Sequence, residues 1–460
     1  MHRFALDYLR EWKTRPTRKP IVVRGARQVG KSFLVRAFAK TEFENLLEIN
    51  LERERDAASL FASKTPRTIV PLLEARFNTP LRPGRSLLFL DEIQAAPEVF
   101  ATLRYFHEDM PDLHVVSAGS LLEFVLEDHA FSMPVGRVEY LHLGPMQFEE
   151  FMLGMGRDQL REWLGKYSLG ETVPEGLHAE LMRLLRQFLL VGGLPEAVRA
   201  FVESGSYQEC DAVKQSVLST YRDDFGKYGR RVHHQRVSKV FDKIPQLVGR
   251  KFMYSQVDRE ERSRDLGEAL HLLCLARVAH RIRHTAANGV PLGAEADDRN
   301  FKALFLDAGL LCRALGLSVR EIESAEDVLL VNNGAVCEQF IGQHLFYSGP
   351  FYQEPELYCW MREKSTSSAE LDFVIAIGTS VVPVEVKAGK TGMLKSLHQF
   401  LREKGRDFGL RFNSEAPTLL DAQTALPDGR NRPFRLLSLP LYMVGQARRL
   451  CAQAFQSPGG

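Results

Sequence analysis

The sequence predicts an α/β protein whose N-terminal part is a parallel sheet, and three observations support this fold class. Strand and helix patterns alternate from residue 1 to about 145, which is typical of a parallel sheet covered by helices. Residues 25–32 carry the complete pattern of a phosphate-binding loop between an apolar strand and an amphipathic helix. A further apolar strand, beginning near Arg85, ends in the acids Asp91 and Glu92.

The phosphate-binding loop is the most specific motif of the chain. Its residues are Gly25, Ala26, Arg27, Gln28, Val29, Gly30, Lys31 and Ser32. The glycines let the backbone wrap closely around phosphate oxygens, so that its N–H groups and the following helix N-terminus face the charge. We expect Lys31 to reach the β- and γ-phosphates and Ser32 to offer its hydroxyl to Mg²⁺. The loop therefore predicts ATP and Mg²⁺ as cofactors.

Two later strands are expected to complete a nucleotide site. Asp91 is expected to hold Mg²⁺ through water, and Glu92 to polarise the attacking water as a general base. An ordinary core strand capped by acids is the alternative, but the upstream phosphate loop favours the functional interpretation. The third apolar strand, within 113–120, ends in small polar residues. Ser120, or alternatively Ser117, is a candidate sensor of the γ-phosphate, and a plain strand-to-turn junction explains the pattern equally well.

Length and composition limit the remaining possibilities. A chain of 460 residues is too long for one core and predicts two to four domains. Its 45% hydrophobic and 26% charged residues are typical of a soluble globular protein, and no apolar run predicts a membrane span. No secretory signal is expected at the N-terminus. The six cysteines show no paired spacing, which favours a reduced cytoplasm over a disulfide scaffold or zinc site.

The middle of the chain is predicted to be helical and then basic. Residues 151–225 read as helices, with a sharp break at 190–195. Within 226–251 the only acid is Asp242, whereas the basic residues are Lys227, Arg230, Arg231, Arg236, Lys239, Lys243, Arg250 and Lys251. A helical pair followed by a β-hairpin is the outline of a winged helix, and such basic modules often bind nucleic acid phosphates. A solvated basic face on a helical domain is the alternative.

The C-terminal third contains a second candidate site. Asp372 lies on the first strand of a predicted hairpin, while Glu385 and Lys387 lie two residues apart on the second strand and therefore share a face. Glu338, on an upstream amphipathic helix, is a candidate fourth polar group. Two carboxylates and a lysine can bind Mg²⁺ and stabilise a hydroxide that attacks phosphorus. A charged face on an edge hairpin is the alternative, and nuclease turnover is left open.

Taken in order, the motifs resemble those of a known family. The matching segments are 25–32, 90–94, 118–120, 136–137, 143–151, 192–195, 305–310, 370–373 and 384–387. The chain is similar over nearly its whole length to bacterial and archaeal AAA+-type P-loop ATPases. These carry a C-terminal domain of formerly unknown function that is itself similar to PD-(D/E)xK nucleases.

The resemblance implies a domain organisation and further site residues. It implies an AAA+-type P-loop NTPase domain at 1–150, a helical connector at 151–225, a winged-helix-like basic domain at 226–325 and a restriction-endonuclease-like α/β domain at 326–460. Arg137 matches a position that implies an arginine finger or sensor, although an ordinary surface arginine is the alternative. Asp372, Glu385 and Lys387 match the catalytic positions of the nuclease superfamily, and Glu338 its helix acid. Leu371 stands where the superfamily's eponymous proline is expected.

These patterns lead to three functional hypotheses. The first is a cytoplasmic, Mg²⁺-dependent ATPase that acts on DNA through the basic region and a nuclease-like domain, with nucleotide state controlling the interaction. The second keeps the ATPase but makes the nuclease-like fold a catalytically silent DNA- or protein-binding platform. The third is a nucleotide-gated regulator that binds protein partners and no DNA. The AAA+ resemblance also implies a homo-oligomer.

Overall fold

The computed structural model describes residues 2–120, 122–127, 136–228, 231–317, 334–364, 367–387, 394–426 and 430–456. Internal contacts divide the chain into two units. The first unit comprises Met1–Met146, Leu275–Val278 and Gly349–Pro355, and the second comprises Gln147–Cys274, Ala279–Ser348 and Glu356–Gly460. Every helix among the described residues is too short or too polar to span a lipid bilayer.

The first unit is built on a five-stranded parallel sheet, which confirms the predicted fold class. Its strands are β1 (Ile21–Arg24), β2 (Asn45–Asn50), β3 (Ser86–Asp91), β4 (His114–Ala118) and β5 (Glu139–His142). They lie in the order β2-β3-β4-β1-β5, and every pairing is parallel. β3 and β4 are buried along their whole length, as expected for central strands with both faces covered.

Helices of the first unit alternate with these strands. They are α1 (Ala5–Thr14), α2 (Lys31–Glu42), α3 (Pro66–Phe77), α4 (Pro97–Asp109) and α5 (Leu122–Glu127). Both α3 and α4 begin with proline, whose fixed φ and missing N–H suit the first helical turn. Buried residues such as Phe61, Leu90 and Phe100 form a core between sheet and helices. The alternation places the end of β1, the loop and the start of α2 in one continuous segment.

The second unit begins with helices, as the sequence predicts. Its helices are α6 (Phe148–Gly154), α7 (Asp158–Lys166), α8 (Glu175–Val191), α9 (Pro195–Ser204), α10 (Tyr207–Asp224), α11 (Arg231–Leu247), α12 (Tyr254–Val257), α13 (Ser263–Leu275), α14 (Ala308–Ala314), α15 (Ala335–Phe346), α16 (Lys395–Lys404) and α17 (Ala447–Gln456). Gln147 caps α6 in a reciprocal capping box with Glu150. The helix therefore begins directly after Gln147.

A mixed eight-stranded sheet completes the second unit. Its strands are β6 (Ala279–Thr285), β7 (Ala296–Phe305), β8 (Tyr358–Lys364), β9 (Ser367–Ile377), β10 (Ser380–Val386), β11 (Phe408–Asn413), β12 (Thr418–Ala425) and β13 (Asn431–Pro440). The order is β12-β13-β11-β10-β9-β8-β6-β7. The predicted hairpin is β9–β10, which pairs antiparallel with Phe373 opposite Val384.

The structure differs from the winged-helix prediction at the hairpin β6–β7. The hairpin does follow the helices α11–α13, but β6 also pairs in parallel with β8 through Arg283 and His284. The last five residues of β7, Phe301–Phe305, are all buried, so the hairpin belongs to the central sheet and is not a projecting wing. The sheet thus runs across the boundary predicted between 226–325 and 326–460. The four-domain division stays a prediction.

Asp307 connects two glycine-containing segments of the second unit, residues 192–195 and 305–310. Its fully buried carboxylate accepts hydrogen bonds from the Gly193 N–H at 2.6 Å and from the Leu310 N–H, at the start of α14, at 3.0 Å. Gly192 ends α8 with φ +83°, and a Cβ there would lie 2.2 Å from Asp307 Oδ1. Close approach of the two segments therefore explains both motifs through packing.

Candidate functional site

The phosphate-binding loop joins β1 to α2 with two glycines in conformations that a side chain would disturb. Gly25 has φ +149°, and a Cβ there would lie 2.2 Å from the Leu143 carbonyl oxygen. Gly30 adopts a left-handed conformation with φ +91° directly before α2. The loop therefore turns tightly onto the helix N-terminus, whose free N–H groups favour an anion.

Lys31 lies across its own loop. Its Nζ donates to the carbonyl oxygens of Gly25 at 2.9 Å and Ala26 at 2.8 Å, and its side chain is buried. Burial lowers the pKa of Lys31 to about 8, although Glu92 and Asp91 oppose this shift. Phosphate oxygens are stronger acceptors for an ammonium than neutral carbonyls. The lysine is thus placed to exchange its loop partners for a nucleotide phosphate.

Ser32 and Asp91 form the oxygen pair expected at a magnesium site. The Ser32 hydroxyl donates to Asp91 Oδ2 at 2.9 Å, and Asp91 is buried at the end of β3. Burial raises the pKa of Asp91, while the hydrogen bond from Ser32 lowers it. Mg²⁺ prefers such hard oxygen donors and completes its octahedron with waters and substrate phosphates. The residues present therefore fit Mg²⁺.

Glu92 is held by a short hydrogen-bond network. It adopts a left-handed conformation with φ +49° directly after β3. Its Oε2 accepts from Gln94 Nε2 at 2.6 Å and from the Ser120 hydroxyl at 3.2 Å. Arg27 of the loop donates to the same Ser120 hydroxyl at 3.2 Å. The network brings the loop, the acid after β3 and the serine after β4 together.

Of the two candidate serines, only Ser120 contacts this network. Ser117 is fully buried within β4, and its hydroxyl donates to the Ile21 carbonyl at 3.4 Å. Gln94 was not among the predicted site residues, although its position two residues after Glu92 was a usable signal. A Cβ at Gly119 would lie 2.3 Å from Gln94 Oε1, so the glycine before Ser120 makes room for this amide.

Arg137 lies on an exposed part of the first unit. Its Nε donates to Glu108 Oε1 at 2.8 Å, at the C-terminal turn of α4. This hydrogen bond lowers the pKa of Glu108. The role of Arg137 as an arginine finger or sensor stays a prediction.

In the second unit, a buried lysine occupies the middle of a carboxylate cluster. We use the name carboxylate cluster for Lys302 together with Glu338, Glu370 and Asp372. Lys302 Nζ lies 2.9 Å from Glu338 Oε1, 2.7 Å from Glu370 Oε1 and 3.3 Å from Asp372 Oδ1. The lysine side chain is only 1% exposed. Lys302 was not predicted as a site residue, although it is a lone charge in the apolar run 301–305 of β7.

The remaining predicted residues lie beside this cluster. Asp372 Oδ2 accepts from the Val386 N–H at 2.7 Å, and Lys387 Nζ donates to Glu385 Oε1 at 2.6 Å. Burial, with a further contribution from Asp372, raises the pKa of Glu385 to about 7. Glu385 Oε2 is buried and has no hydrogen-bond partner among the described residues. The structure thus brings Asp372, Glu385 and Lys387 into one region, as the hairpin predicts.

The electrostatics of the carboxylate cluster reflect the buried lysine. Burial by itself would lower the pKa of Lys302, but Glu338, Asp372 and Glu370 together hold it well above its usual value. Burial raises the pKa of Glu338 to about 8, although Lys302 opposes this shift. Within the described ranges, no group of three or more His, Cys, Asp or Glu side chains is arranged to hold a metal ion. The residues present do not fit Mg²⁺ here, because an ammonium already contacts three of the carboxylates.

The structure also changes the interpretation of the basic segment 226–251. Arg236 pairs with Glu261 and Asp265, and Lys239 pairs with Asp258 and Glu261. These acids follow the segment in sequence, so the local charge count did not include them. Arg230 and the side chains of Lys227 and Arg231 lie outside the described residues. Part of the predicted basic face is therefore neutralised by the chain itself.

Family models match three parts of the chain. Residues 17–152 match a model described as an AAA domain. Residues 182–321 match a domain of unknown function (DUF8612), and residues 333–427 match another (DUF4143). A comparison with curated proteins finds no match. These matches give no support to a nuclease identity for the C-terminal part, which stays a prediction.

Solved structures similar to this chain come from archaea, among other sources. A Walker-type ATPase of Pyrococcus abyssi aligns at 15% identity and a TM-score of 0.42, covering 68% of this chain and 95% of its own. The Aeropyrum pernix ORC1 protein, solved in complex with DNA, aligns at 15% identity and a TM-score of 0.27, covering 68% and 92%. The Aeropyrum pernix ORC2 protein aligns at 13% identity and a TM-score of 0.29, covering 57% and 80%.

The loop geometry and the family match agree on the N-terminal part of the chain. The parallel sheet, the loop of residues 25–32 and the acids after β3 all lie within the matched range 17–152. Residues 17–152 therefore form an AAA-type P-loop ATPase domain.

Proposed function

We propose that the chain hydrolyses ATP with Mg²⁺ at residues 25–32 and that nucleotide state controls DNA binding by its second unit. The observation that carries the ATPase half is the 2.9 Å contact between Ser32 Oγ and Asp91 Oδ2 beside the buried Lys31. The two oxygens can bind the metal of a nucleoside triphosphate, and the ammonium at the helix N-terminus can bind its phosphates. A homo-oligomer and a cytoplasmic location belong to the same proposal.

In this proposal each residue of the first site has a defined task. Backbone N–H groups of the loop cradle the phosphates, and Lys31 contacts the β- and γ-phosphate oxygens. Ser32 and Asp91 hold Mg²⁺, which when bound neutralises charge on the phosphates. Glu92 orients the attacking water as general base. Arg137 contributes charge to the γ-phosphate of a neighbouring subunit, because within the chain it precedes β5 at the sheet edge opposite the loop.

The Ser120 hydroxyl gives Glu92 two possible states. Ser120 donates to Glu92 Oε2 at 3.2 Å. A γ-phosphate is a more highly charged acceptor, so the hydroxyl turns to it when ATP binds. Glu92 then loses one donor and gains the freedom to bind a water. Ser120 in this view acts as the γ-phosphate sensor and as a positioning residue for Glu92.

The test is ATP hydrolysis by the full chain, with Lys31→Ala as the variant. We expect Mg²⁺-dependent phosphate release, abolished by a chelator, and ATP binding about tenfold to a hundredfold weaker in the variant, because a charged hydrogen-bonding group is lost. Binding is measured by titration of a fluorescent ATP analogue. Lys40→Ala is the matched control, since Lys40 is exposed near the end of the same helix. Hydrolysis that survives Lys31→Ala unchanged contradicts the proposal.

DNA is the partner that we propose for the second unit, and a basic groove along α16 supports it. The groove has a volume of about 680 Å³ and is lined by Arg362, Lys395, His398 and Arg402, among others. Lys395, His398 and Arg402 are spaced to share one face of the helix. Arg362 pairs with Glu403 at 2.5 Å, which leaves the cations of α16 as the main charges of the groove. Burial and the neighbouring Arg402 lower the pKa of His398, so Lys395 and Arg402 are the two cations that this face offers to a phosphate backbone.

Salt dependence tests this second half of the proposal. Binding of labelled duplex and single-stranded DNA is measured by fluorescence anisotropy from low to physiological salt, without divalent cations. We expect the double variant Lys395→Ala/Arg402→Ala to weaken binding and to reduce the slope of log K against log salt by about 1.5–2. Lys404→Ala is the control, because Lys404 lies on the same helix and contacts Asn288 instead. Absence of salt-dependent DNA binding favours the protein-directed regulator.

A further inference from the structure

We infer that the Lys302 ammonium takes the place of a divalent cation at the carboxylate cluster, so that the second unit takes up no Mg²⁺ there and cleaves no DNA. The second unit then binds DNA, as proposed above, but does not cut it, so this step rests on the proposed function. The inference itself does not depend on ATP hydrolysis in the first unit.

The contacts of Lys302 are those expected of a built-in cation. Its Nζ donates hydrogen bonds to Glu338 Oε1 at 2.9 Å and Asp372 Oδ1 at 3.3 Å, and it forms an ion pair with Glu370 Oε1 at 2.7 Å. Glu338 comes from α15, while Glu370 and Asp372 lie two residues apart on β9 and therefore share a face. Lys302 thus ties β7 to a helix and to a strand that is not its neighbour in the sheet.

The lysine cannot easily leave this position. Its backbone lies in β7, where Lys302 pairs with Ile282 of β6 and forms a bridge with Lys251 on the other side. Its side chain is 1% exposed, so the ammonium would have to enter water through packed structure. Withdrawal would also leave the buried Glu338 carboxylate without its counter-charge, which is unfavourable.

Space beside the cluster is also restricted. Gly249, in the turn after α11, adopts φ +84°, and a Cβ there would lie 2.9 Å from Glu338 Oε2. Backbone therefore covers Glu338, one of the carboxylates of the cluster. Mg²⁺ requires near-octahedral coordination and keeps several waters, which need room that an ammonium does not. Lys302 supplies positive charge to the cluster without this requirement.

Manganese binding tests the inference directly, with Mn²⁺ as the probe and no nucleotide present. Free Mn²⁺ is counted by electron paramagnetic resonance during titration of the full chain. We expect wild type and Asp372→Asn to bind equal numbers of Mn²⁺, because wild type has no metal at the cluster. Lys302→Ala is expected to gain one Mn²⁺ per chain, and the double variant Lys302→Ala/Asp372→Asn to lose it again.

The outcomes that overturn the inference are separate from those of the ATPase proposal. Loss of one Mn²⁺ on Asp372→Asn, or wild-type cleavage of duplex DNA in Mg²⁺ that Asp372→Asn abolishes, overturns it. So does a folded Lys302→Ala chain, checked by circular dichroism, that gains no Mn²⁺. If Lys302→Ala does not fold, Lys302→Gln replaces it, since glutamine keeps a hydrogen-bond donor without the charge. Any Mn²⁺ bound at the first site adds the same number to every variant. The differences in Mn²⁺ count between variants are therefore the same whether or not the chain hydrolyses ATP.

Discussion

Replacement of Glu92 by glutamine is expected to leave ATP bound and to slow its hydrolysis by about 10²–10⁴-fold, the contribution typical of a general base. The amide has nearly the same shape and still accepts hydrogen bonds from Gln94 and Ser120 through its oxygen. It cannot take a proton from water, so the chemical step is affected and the binding step is not. Single-turnover phosphate release and nucleotide affinity, measured on the same preparation, separate the two effects.

Two comparisons make the Glu92 result specific. Glu98→Gln is the matched control, because Glu98 is exposed in the first turn of α4 and undergoes the same chemical change. We expect its hydrolysis rate to equal that of wild type. Lys31→Ala provides the contrast, since there the affinity falls. Hydrolysis at the wild-type rate in Glu92→Gln would remove Glu92 from the mechanism and leave another group as the base.

Gly192→Ala is expected to destabilise the second unit by about 4 kcal/mol or more, or to prevent its folding. The new Cβ would lie 2.2 Å from Asp307 Oδ1 and 3.0 Å from the Gly309 Cα, both in tightly packed surroundings. Relief of the clash must move Asp307, whose buried carboxylate would then lose the hydrogen bond from the Gly193 N–H. Losses this large are typical when a buried charged network is broken. Urea unfolding followed by circular dichroism measures the change.

Gly205→Ala separates backbone strain from packing in this prediction. Gly205 also has a positive φ, +67°, at the end of α9, but a Cβ there meets nothing within 4 Å. We expect a loss of only about 1–2 kcal/mol, the cost of a left-handed alanine. Equal losses in the two variants would mean that the contact between Asp307 and the 192–195 segment contributes little to stability.

Local motifs were predicted well because their chemistry is contained in contiguous residues. The loop of residues 25–32 needs only two glycines, a lysine and a serine between a strand and a helix, and all are adjacent in sequence. The carboxyl ends of parallel strands meet at one edge of a sheet, so an apolar strand ending in Asp91 and Glu92 was enough to predict their place. The end of β4 separated the two candidate serines, because Ser117 lies inside the strand and Ser120 lies beyond it.

The sequence did not predict that basic residues of 226–251 are neutralised, because the acids that pair with them lie outside this segment. The basic count over 226–251 found one acid, whereas Arg236 and Lys239 pair with residues 258, 261 and 265. The hairpin β6–β7 gave the local pattern of a wing, but its pairing with β8 depends on a strand more than 50 residues later. A short stretch of sequence shows which side chains are present. It does not show which distant residues they pair with or which sheet a strand joins.

The sequence by itself determined the α/β class, the phosphate-binding loop and the acids that follow β3, since backbone geometry and strand polarity place these groups wherever the segment folds. Only the tertiary structure decided the character of the second site. Asp372, Glu385 and Lys387 carry the pattern of a metal site, but Lys302, on another strand, lies 3.3 Å from Asp372 Oδ1. Because a buried ammonium and a divalent cation compete for the same oxygens, one residue 70 positions from Asp372 changes what the motif can bind.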